Sequence, residues 1–97
     1  KYYEFLEETM INTTTGLKKI RALLPPTVIV GDKTGNSPRT SEGMKIADND
    51  LAFVRLPNGK QYTIAVLVSN SYENDETNSQ IIARISKIVY DELSGKL

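Results

Sequence analysis

The sequence predicts an α+β fold, an antiparallel sheet of three strands with flanking N- and C-terminal helices. Three runs rich in β-branched and apolar residues are separated by turn signals, which predicts three strands. The second and third runs are joined by Pro57-Asn58-Gly59, and Asn-Gly is the strongest short hairpin signal. Apolar residues at helical spacing before and after these runs predict helices at both ends of the chain.

Two helices are predicted before the sheet, at about residues 2–12 and 16–24. The first has four apolar residues at helical spacing: Tyr2, Phe5, Leu6 and Met10. The second has four more: Leu17, Ile20, Leu23 and Leu24. Thr14 or Thr15 is suited to cap its N-terminus. Pro25-Pro26 ends it, because the residue before a proline avoids the α region.

Strands are predicted at about residues 27–34, 45–56 and 60–70. The first begins with Thr27-Val28-Ile29-Val30, which is almost entirely β-branched. The other two contain consecutive apolar residues, and we therefore expect both of their faces to be covered. The last of them should leave its outer edge unpaired if no further strand accompanies it.

The clearest helix is predicted at about residues 74–94. Asn74 is a suitable N-cap, and Asp75 and Glu76 suit the positive end of the helix dipole. One wide apolar stripe follows and should face the core: Ile81, Ile82, Ile85, Ile88, Val89 and Leu93. No repeat or linker interrupts the chain, so residues 1–97 form one domain or part of a larger one.

Composition excludes several classes of function. Twelve basic side chains balance twelve acidic ones, which argues against a nucleic-acid surface and a polybasic membrane surface. Without His or Cys there is no Ser-His-Asp triad, thiol nucleophile or Cys/His zinc site, and we predict neither metal nor cofactor. No apolar run approaches the roughly 20 residues of a membrane span. The chain shows no signal peptide and starts within a helical pattern, which indicates truncation of a longer protein.

The tripeptide Lys33-Thr34-Gly35 follows the first predicted strand and precedes a polar loop. Lys33 supplies a compact positive charge, and the Thr34 hydroxyl can donate to a carboxylate. Gly35 lets a ligand approach the backbone closely because it has no Cβ. These residues therefore suit a carboxylated substrate lying against the strand, although Lys33 as an ordinary strand-end charge is the alternative.

A cluster of acidic and amide side chains, Asp48-Asn49-Asp50, opens the second strand. Calcium is one reading of such a cluster, yet the loop spacing and the closing Glu of an EF-hand are both absent. We therefore interpret it as a polar strand entry.

The chain resembles the C-terminal segment of class A serine β-lactamases. Lys33-Thr34-Gly35 matches the Lys-Thr-Gly box of that family. Thr15-Gly16 with Leu23-Leu24-Pro25 is similar to the helix that precedes its active-site strand, and Asp75–Asn78 is similar to the start of its last helix. Residues 41–48 resemble the extended-spectrum cephalosporinase subgroup. The resemblance implies part of the α/β domain shared by β-lactamases and penicillin-binding proteins.

The same resemblance implies roles for individual residues. Lys33 would set the electrostatics beside a catalytic serine, and Thr34 would bind the β-lactam carboxylate. The backbone N–H of Asn36 would form one arm of the oxyanion hole. Ser37 would line the strand edge that meets the acylamino side chain, and Asn78 would lie near the carboxylate pocket.

Several family elements are missing from the sequence. No Ser-x-x-Lys or Ser-x-Asn box occurs, and Glu8 with Asn12 reproduces only the spacing of the deacylation loop. Many members of the family carry a carboxylate-binding arginine on the strand after Lys-Thr-Gly, and none matches it here, since Arg39 is in the loop and Arg55 lies at the far end of that strand. We therefore predict that the isolated chain is inactive, because losing the nucleophile of a serine hydrolase costs roughly a millionfold in turnover.

The predicted partners are a β-lactam substrate and the N-terminal remainder of the enzyme, and the isolated fragment should self-associate through its open strand edge. The resemblance implies a periplasmic or secreted parent protein. Two alternatives remain open: a fragment of a penicillin-binding-protein-like transpeptidase, or a non-catalytic interaction domain of the same fold.

Overall fold

The computed structural model describes residues 2–96 and contains two helices and three strands. In chain order these elements are α1 (Tyr2–Ile11), β1 (Ile29–Asn36), β2 (Lys45–Arg55), β3 (Gln61–Ser71) and α2 (Asp75–Ser94). The strands form one antiparallel sheet in the order β1-β2-β3. This arrangement confirms the predicted fold class.

The hairpin between β2 and β3 forms where Asn-Gly predicts it. The Leu56 N–H donates to the Lys60 carbonyl at 2.7 Å, and the Gly59 N–H donates to the Leu56 carbonyl at 2.9 Å. Gly59 has a φ of 88°, in the left-handed region that glycine adopts without strain. The turn thereby sets the β2–β3 register, in which Asp50 is opposite Val66.

Residues 16–24, here called the turn segment, are not the predicted helix. They form successive three-residue turns, with Lys19 N–H donating to the Gly16 carbonyl and Ala22 N–H to the Lys19 carbonyl, both at 3.0 Å. An α-helix would use the Ile20 N–H to bond Gly16. That N–H donates instead to the Asp50 carboxylate at 3.1 Å. A tertiary hydrogen bond therefore replaces the helical one, and the helix prediction for residues 16–24 is wrong.

The core lies between the turn segment, one face of the sheet and α2. Its buried members are Ile20, Val30, Ala52, Val54, Val66 and Ile82. The Asn74 side chain caps α2 by accepting from the Thr77 N–H at 2.7 Å, as its position predicts. The apolar stripe of α2 is only partly buried, because Ile82 is fully buried whereas Ile88 is 68% exposed.

The opposite face of the sheet is largely open. α1 packs over β1 there, and a Cβ placed on Gly31 would lie 3.0 Å from the Met10 Cβ. Leu51 on β2 is 47% exposed and Leu67 on β3 is 71% exposed. The expectation that both faces of these strands are covered is therefore wrong within residues 2–96. None of the helices in this described range is both long and apolar enough to span a membrane.

Candidate active site

The end of β1 carries the predicted Lys-Thr-Gly residues at the surface. Lys33 and Gly35 are exposed, and Thr34 is half-buried. Side chains alternate across a strand, so Lys33 lies on the α1 side of the sheet and Thr34 on the core side. The Lys33 ammonium donates to the Thr34 carbonyl at 2.6 Å. An ammonium has more than one donor, so Lys33 keeps the capacity to bind an anion.

An open cavity of about 400 Å³ lies between α1 and this end of β1. Its polar lining comes from α1, from the loop after it and from β1: Thr9, Thr13, Thr15, Asp32 and Lys33. Its apolar lining comes from α1 and includes Leu6 and Met10. Cavities of this size with a few convergent polar groups are typical of small-molecule sites.

Thr15 and Gly16 hold this strand end from the side of the turn segment. The Thr34 hydroxyl donates to the Thr15 hydroxyl at 3.3 Å. A Cβ on Gly16 would lie 2.7 Å from the Thr34 Cγ2 and 2.4 Å from the Asp32 Oδ2, so only glycine fits there. The sequence reading missed these contacts and offered Thr14 or Thr15 as a helix cap. The sequence signal for this turn was the Thr15-Gly16 pair, because glycine is favoured where the backbone needs a positive φ. Gly16 has a φ of 73°.

The remaining predicted site residues are divided between two places. Asn36 is exposed on β1, opposite Asp48 in the register. Ser37 follows it, and its hydroxyl accepts from the Ala47 N–H at 3.0 Å, so Ser37 faces β2. Asn78 is fully buried on α2, where its Oδ1 accepts from the Ser71 hydroxyl at 2.7 Å. The structure therefore does not bring Asn78 to the cavity at Lys33.

Buried ion pairs lie directly behind the strand end. Arg21 donates to the Asp32 Oδ1 at 2.6 Å, and Lys19 donates to the Asp48 Oδ1 at 2.6 Å. Asp50 is 1% exposed. Burial, helped by the hydrogen bond that a protonated Asp50 carboxyl can donate to the Asp32 carboxylate, raises the pKa of Asp50 from 3.8 to about 7. The acidic cluster predicted as a polar strand entry is therefore buried and anchors the turn segment.

The other candidate charges lie away from the cavity. Arg55 pairs with Glu7 at 2.8 Å, at the far end of β2. Arg39 pairs with Asp75 at 2.7 Å, and its guanidinium holds the pKa of Asp75 below the usual range. Glu8 is exposed on α1, where its carbonyl accepts from the Asn12 N–H. Its Glu-x-x-x-Asn spacing therefore belongs to a helix and does not form a deacylation loop.

Comparison with known proteins places this fold and strand end in one family. Residues 3–93 match the model of the beta-lactamase enzyme family. A beta-lactamase of Bacteroides uniformis is 53% identical over 90 residues, which are 93% of this chain and 30% of the relative. Beta-lactamase VEB-1 of Pseudomonas aeruginosa is 40% identical over 96 residues, which are 99% of this chain and 32% of the relative.

Solved structures give the same result. A class A beta-lactamase from Bacteroides cellulosilyticus superposes with a TM-score of 0.92 at 57% identity, covering 97% of this chain and 34% of that one. The TLA-3 extended-spectrum beta-lactamase superposes with a TM-score of 0.89 at 48% identity, covering 94% of this chain and 33% of that one. This chain thus spans about a third of the length of these proteins.

The sheet, the lysine–threonine strand end and these superpositions define the α+β part of the class A beta-lactamase fold. The chain belongs to the beta-lactamase enzyme family, and the predicted resemblance is confirmed. The extended-spectrum resemblance also has support, because the TLA-1 and TLA-3 enzymes are among the structures that it matches.

Proposed function

We propose that this chain is the C-terminal segment of a serine β-lactamase that opens β-lactam rings through an acyl-enzyme. The observation that carries the proposal is the exposed end of β1. Lys33 lines the cavity of about 400 Å³ there, and Thr34 is fixed beside it by Thr15. The ammonium of Lys33 supplies donors that a carboxylated substrate needs, and the Thr34 hydroxyl can donate to the substrate when it turns its one proton away from Thr15.

Chemically, the segment provides binding and electrostatics, whereas the missing part of the enzyme provides the nucleophile. Lys33 lies beside the serine hydroxyl and stabilises developing negative charge. The Asn36 N–H serves as one arm of the oxyanion hole, and Gly35 admits the substrate because a Cβ there would meet no atom within 4 Å. Ser37 fixes the strand edge that receives the acylamino group, through its bond to Ala47.

The open side of the sheet receives the rest of the polypeptide in this proposal. Leu51 and Leu67 are exposed on that side, and β3 has no further strand paired to its outer edge within residues 2–96. Unpaired edges and exposed apolar faces promote association. The isolated chain should therefore self-associate, and light scattering of a monomer at micromolar concentration would contradict this. The parent protein works in the periplasm or outside the cell.

Fragment complementation tests the proposal. Nitrocefin hydrolysis is measured for the purified chain, for the N-terminal part of its coding sequence, and for the two together. Each part alone should be inactive, since the chain lacks the Ser-x-x-Lys nucleophile and the N-terminal part lacks Lys33. The mixture should hydrolyse nitrocefin with many turnovers. Hydrolysis by the pure chain alone, or none by the mixture, would contradict the proposal.

The alternatives give different results in the same assay. A transpeptidase would acylate and then release the product slowly, giving a burst without turnover. A non-catalytic interaction domain would give neither burst nor turnover. The beta-lactamase relatives favour hydrolysis with turnover over both alternatives.

A further inference from the structure

Two buried carboxyl groups lie side by side behind the Lys33-Thr34 strand end. Asp32 on β1 and Asp50 on β2 are each 1% exposed. The register places Thr34 opposite Asp50 and Asp32 opposite Ala52, so the two aspartates are diagonal neighbours on one face of the sheet. The Asp32 side chain contributes, after burial, to the raised pKa of Asp50.

Each carboxyl group has one oxygen with a protein donor and one without. The Asp32 Oδ1 accepts from Arg21 at 2.6 Å, and the Asp50 Oδ2 accepts from the Ile20 N–H at 3.1 Å. The other two oxygens, Asp32 Oδ2 and Asp50 Oδ1, are buried without a hydrogen-bond partner. Leaving two acceptors unpaired in the interior is unfavourable. One proton between the carboxyl groups turns one of them into a donor and pairs both oxygens.

The cations around the pair are too few to neutralise every nearby carboxyl group, which favours one further proton on the pair. The turn segment contributes two cations, Lys19 and Arg21, and each is already paired with a carboxylate. The two strands contribute three carboxyl groups: Asp32, Asp48 and Asp50. Of the titratable groups on the remaining elements, Tyr62 of β3 lies on this face of the sheet opposite Val54, and Tyr90 of α2 lies near it. α2 buries Asn78, Ile82, Ala83 and Ser86, β3 presents Val66 beside Asp50, and α1 offers main-chain carbonyls to Arg21.

We propose that Asp32 and Asp50 share one proton near neutral pH, and that this pair is a positioning device for the substrate-binding strand end. Asp32 precedes Lys33 in the chain, and Asp50 is opposite Thr34. Through Arg21 and Ile20 the pair fastens the turn segment to both strands. Thr15, directly before the turn segment, accepts a hydrogen bond from the Thr34 hydroxyl. The positioning role rests on the proposed function, whereas the shared proton does not.

The shared proton makes this arrangement sensitive to pH. Burial is the main reason that the pKa of Asp50 rises to about 7, and the neighbouring Asp32 raises it further. When the proton leaves at higher pH, two adjacent buried carboxylates repel each other. The turn segment then separates from β1, and Thr34 loses its fixed position.

Carboxyl-carbon NMR of the full 97-residue chain tests the shared proton. With ¹³C at aspartate Cγ, the Asp50 signal should titrate with a midpoint near pH 7. Asp50→Asn should abolish this titration, because its amide replaces the proton as a donor to Asp32. Asp91→Asn removes an exposed carboxyl from α2 and should leave it unchanged. The proposal is overturned if every aspartate signal titrates below about pH 5, near the ordinary range.

The pH profile of KM tests the positioning role in the longer enzyme that carries these residues. Wild-type KM for a cephalosporin should rise about tenfold between roughly pH 6 and pH 8, as the pair loses its proton. Asp50→Asn should keep a low KM throughout, and Asp50→Ala a high one. If KM of Asp50→Asn rises with pH as it does in the wild type, the positioning role is overturned. If no variant hydrolyses the cephalosporin, the wild type included, both the proposed function and the positioning role are overturned. The NMR titration still tests the shared proton in that case.

Discussion

The Thr34 hydroxyl donates to the Thr15 hydroxyl at 3.3 Å, across 19 residues of sequence. This bond joins the substrate-binding strand to the loop after α1. Thr15 also contacts the Thr13 hydroxyl at 3.0 Å, so three hydroxyl-bearing residues form one chain beside the cavity. The position of Thr34 therefore depends on a part of the chain that precedes its own strand.

Replacing Thr15 with valine should remove the hydrogen bond to Thr34 while it keeps the shape of the Thr15 side chain. We expect the free energy of unfolding to fall by about 1 kcal/mol, the usual net value of one hydrogen bond. Urea denaturation at a fixed protein concentration measures this change. Thr63→Val, on the exposed face of β3, is the matched control and should change stability by less than about 0.5 kcal/mol. Equal effects of the two substitutions would contradict the account.

Replacing Gly16 with alanine should destabilise the fold through a clash as well as through backbone strain. The added Cβ would lie 2.4 Å from the Asp32 Oδ2. Gly43 has a similar positive φ of 89° but no atom within 4 Å of its Cβ position. Gly43→Ala should therefore cost about 1 kcal/mol from strain alone, and Gly16→Ala about 2 kcal/mol more. The difference in unfolding free energy isolates the clash, and no difference would exclude it.

Replacing Arg21 with methionine should be strongly destabilising. Removing the guanidinium leaves the Asp32 carboxylate buried without its cation, which typically costs about 3–5 kcal/mol. Arg84 on the exposed face of α2 is the control, and Arg84→Met should cost less than about 0.5 kcal/mol. Thermal unfolding measures both. A mild effect of Arg21→Met would show that Asp32 does not need this partner.

Stability should decline as pH rises from about 4 to 7. The folded-state pKa of Asp50 is about 7, above its ordinary value of 3.8. Between these values the folded chain binds more protons than the unfolded chain. This contribution is therefore complete below 3.8 and is lost as pH rises through 7. The urea midpoint should follow this decline in the wild type, and Asp50→Asn should remove it. A wild-type midpoint that rises over this range would contradict the assignment.

The strands and α2 could be predicted because local sequence and tertiary packing agree there. The β-branched run before Gly31, the Asn-Gly hairpin and the Asn74 cap each occur where the pattern places them. The turn segment could not be predicted. Its apolar spacing fits a helix, and the Asp50 carboxylate that takes the Ile20 N–H lies 30 residues away.

The Lys-Thr-Gly strand end could be predicted from the motif and its context, but its supporting residues could not. A period of two places Asp50 on the same face of β2 as Ala52 and Val54, both buried, and this alternation was the available signal. Without EF-hand spacing, the sequence predicts only a polar strand entry for the acidic cluster that contains Asp50. Asn78, which the resemblance assigns to the neighbourhood of the carboxylate pocket, is fully buried on α2.

The most direct test of the account is the effect of Lys33→Ala on kcat/KM for a cephalosporin, in the complemented or complete enzyme. Lys33 is exposed, so its removal should leave the fold intact. Lys60→Ala, which removes an exposed lysine from the hairpin, is the matched control. Lys33→Ala should lower kcat/KM by about 100-fold or more, as loss of a preorganised charge at an acyl-transfer site does. Equal kcat/KM values for the Lys33 and Lys60 variants would contradict the account.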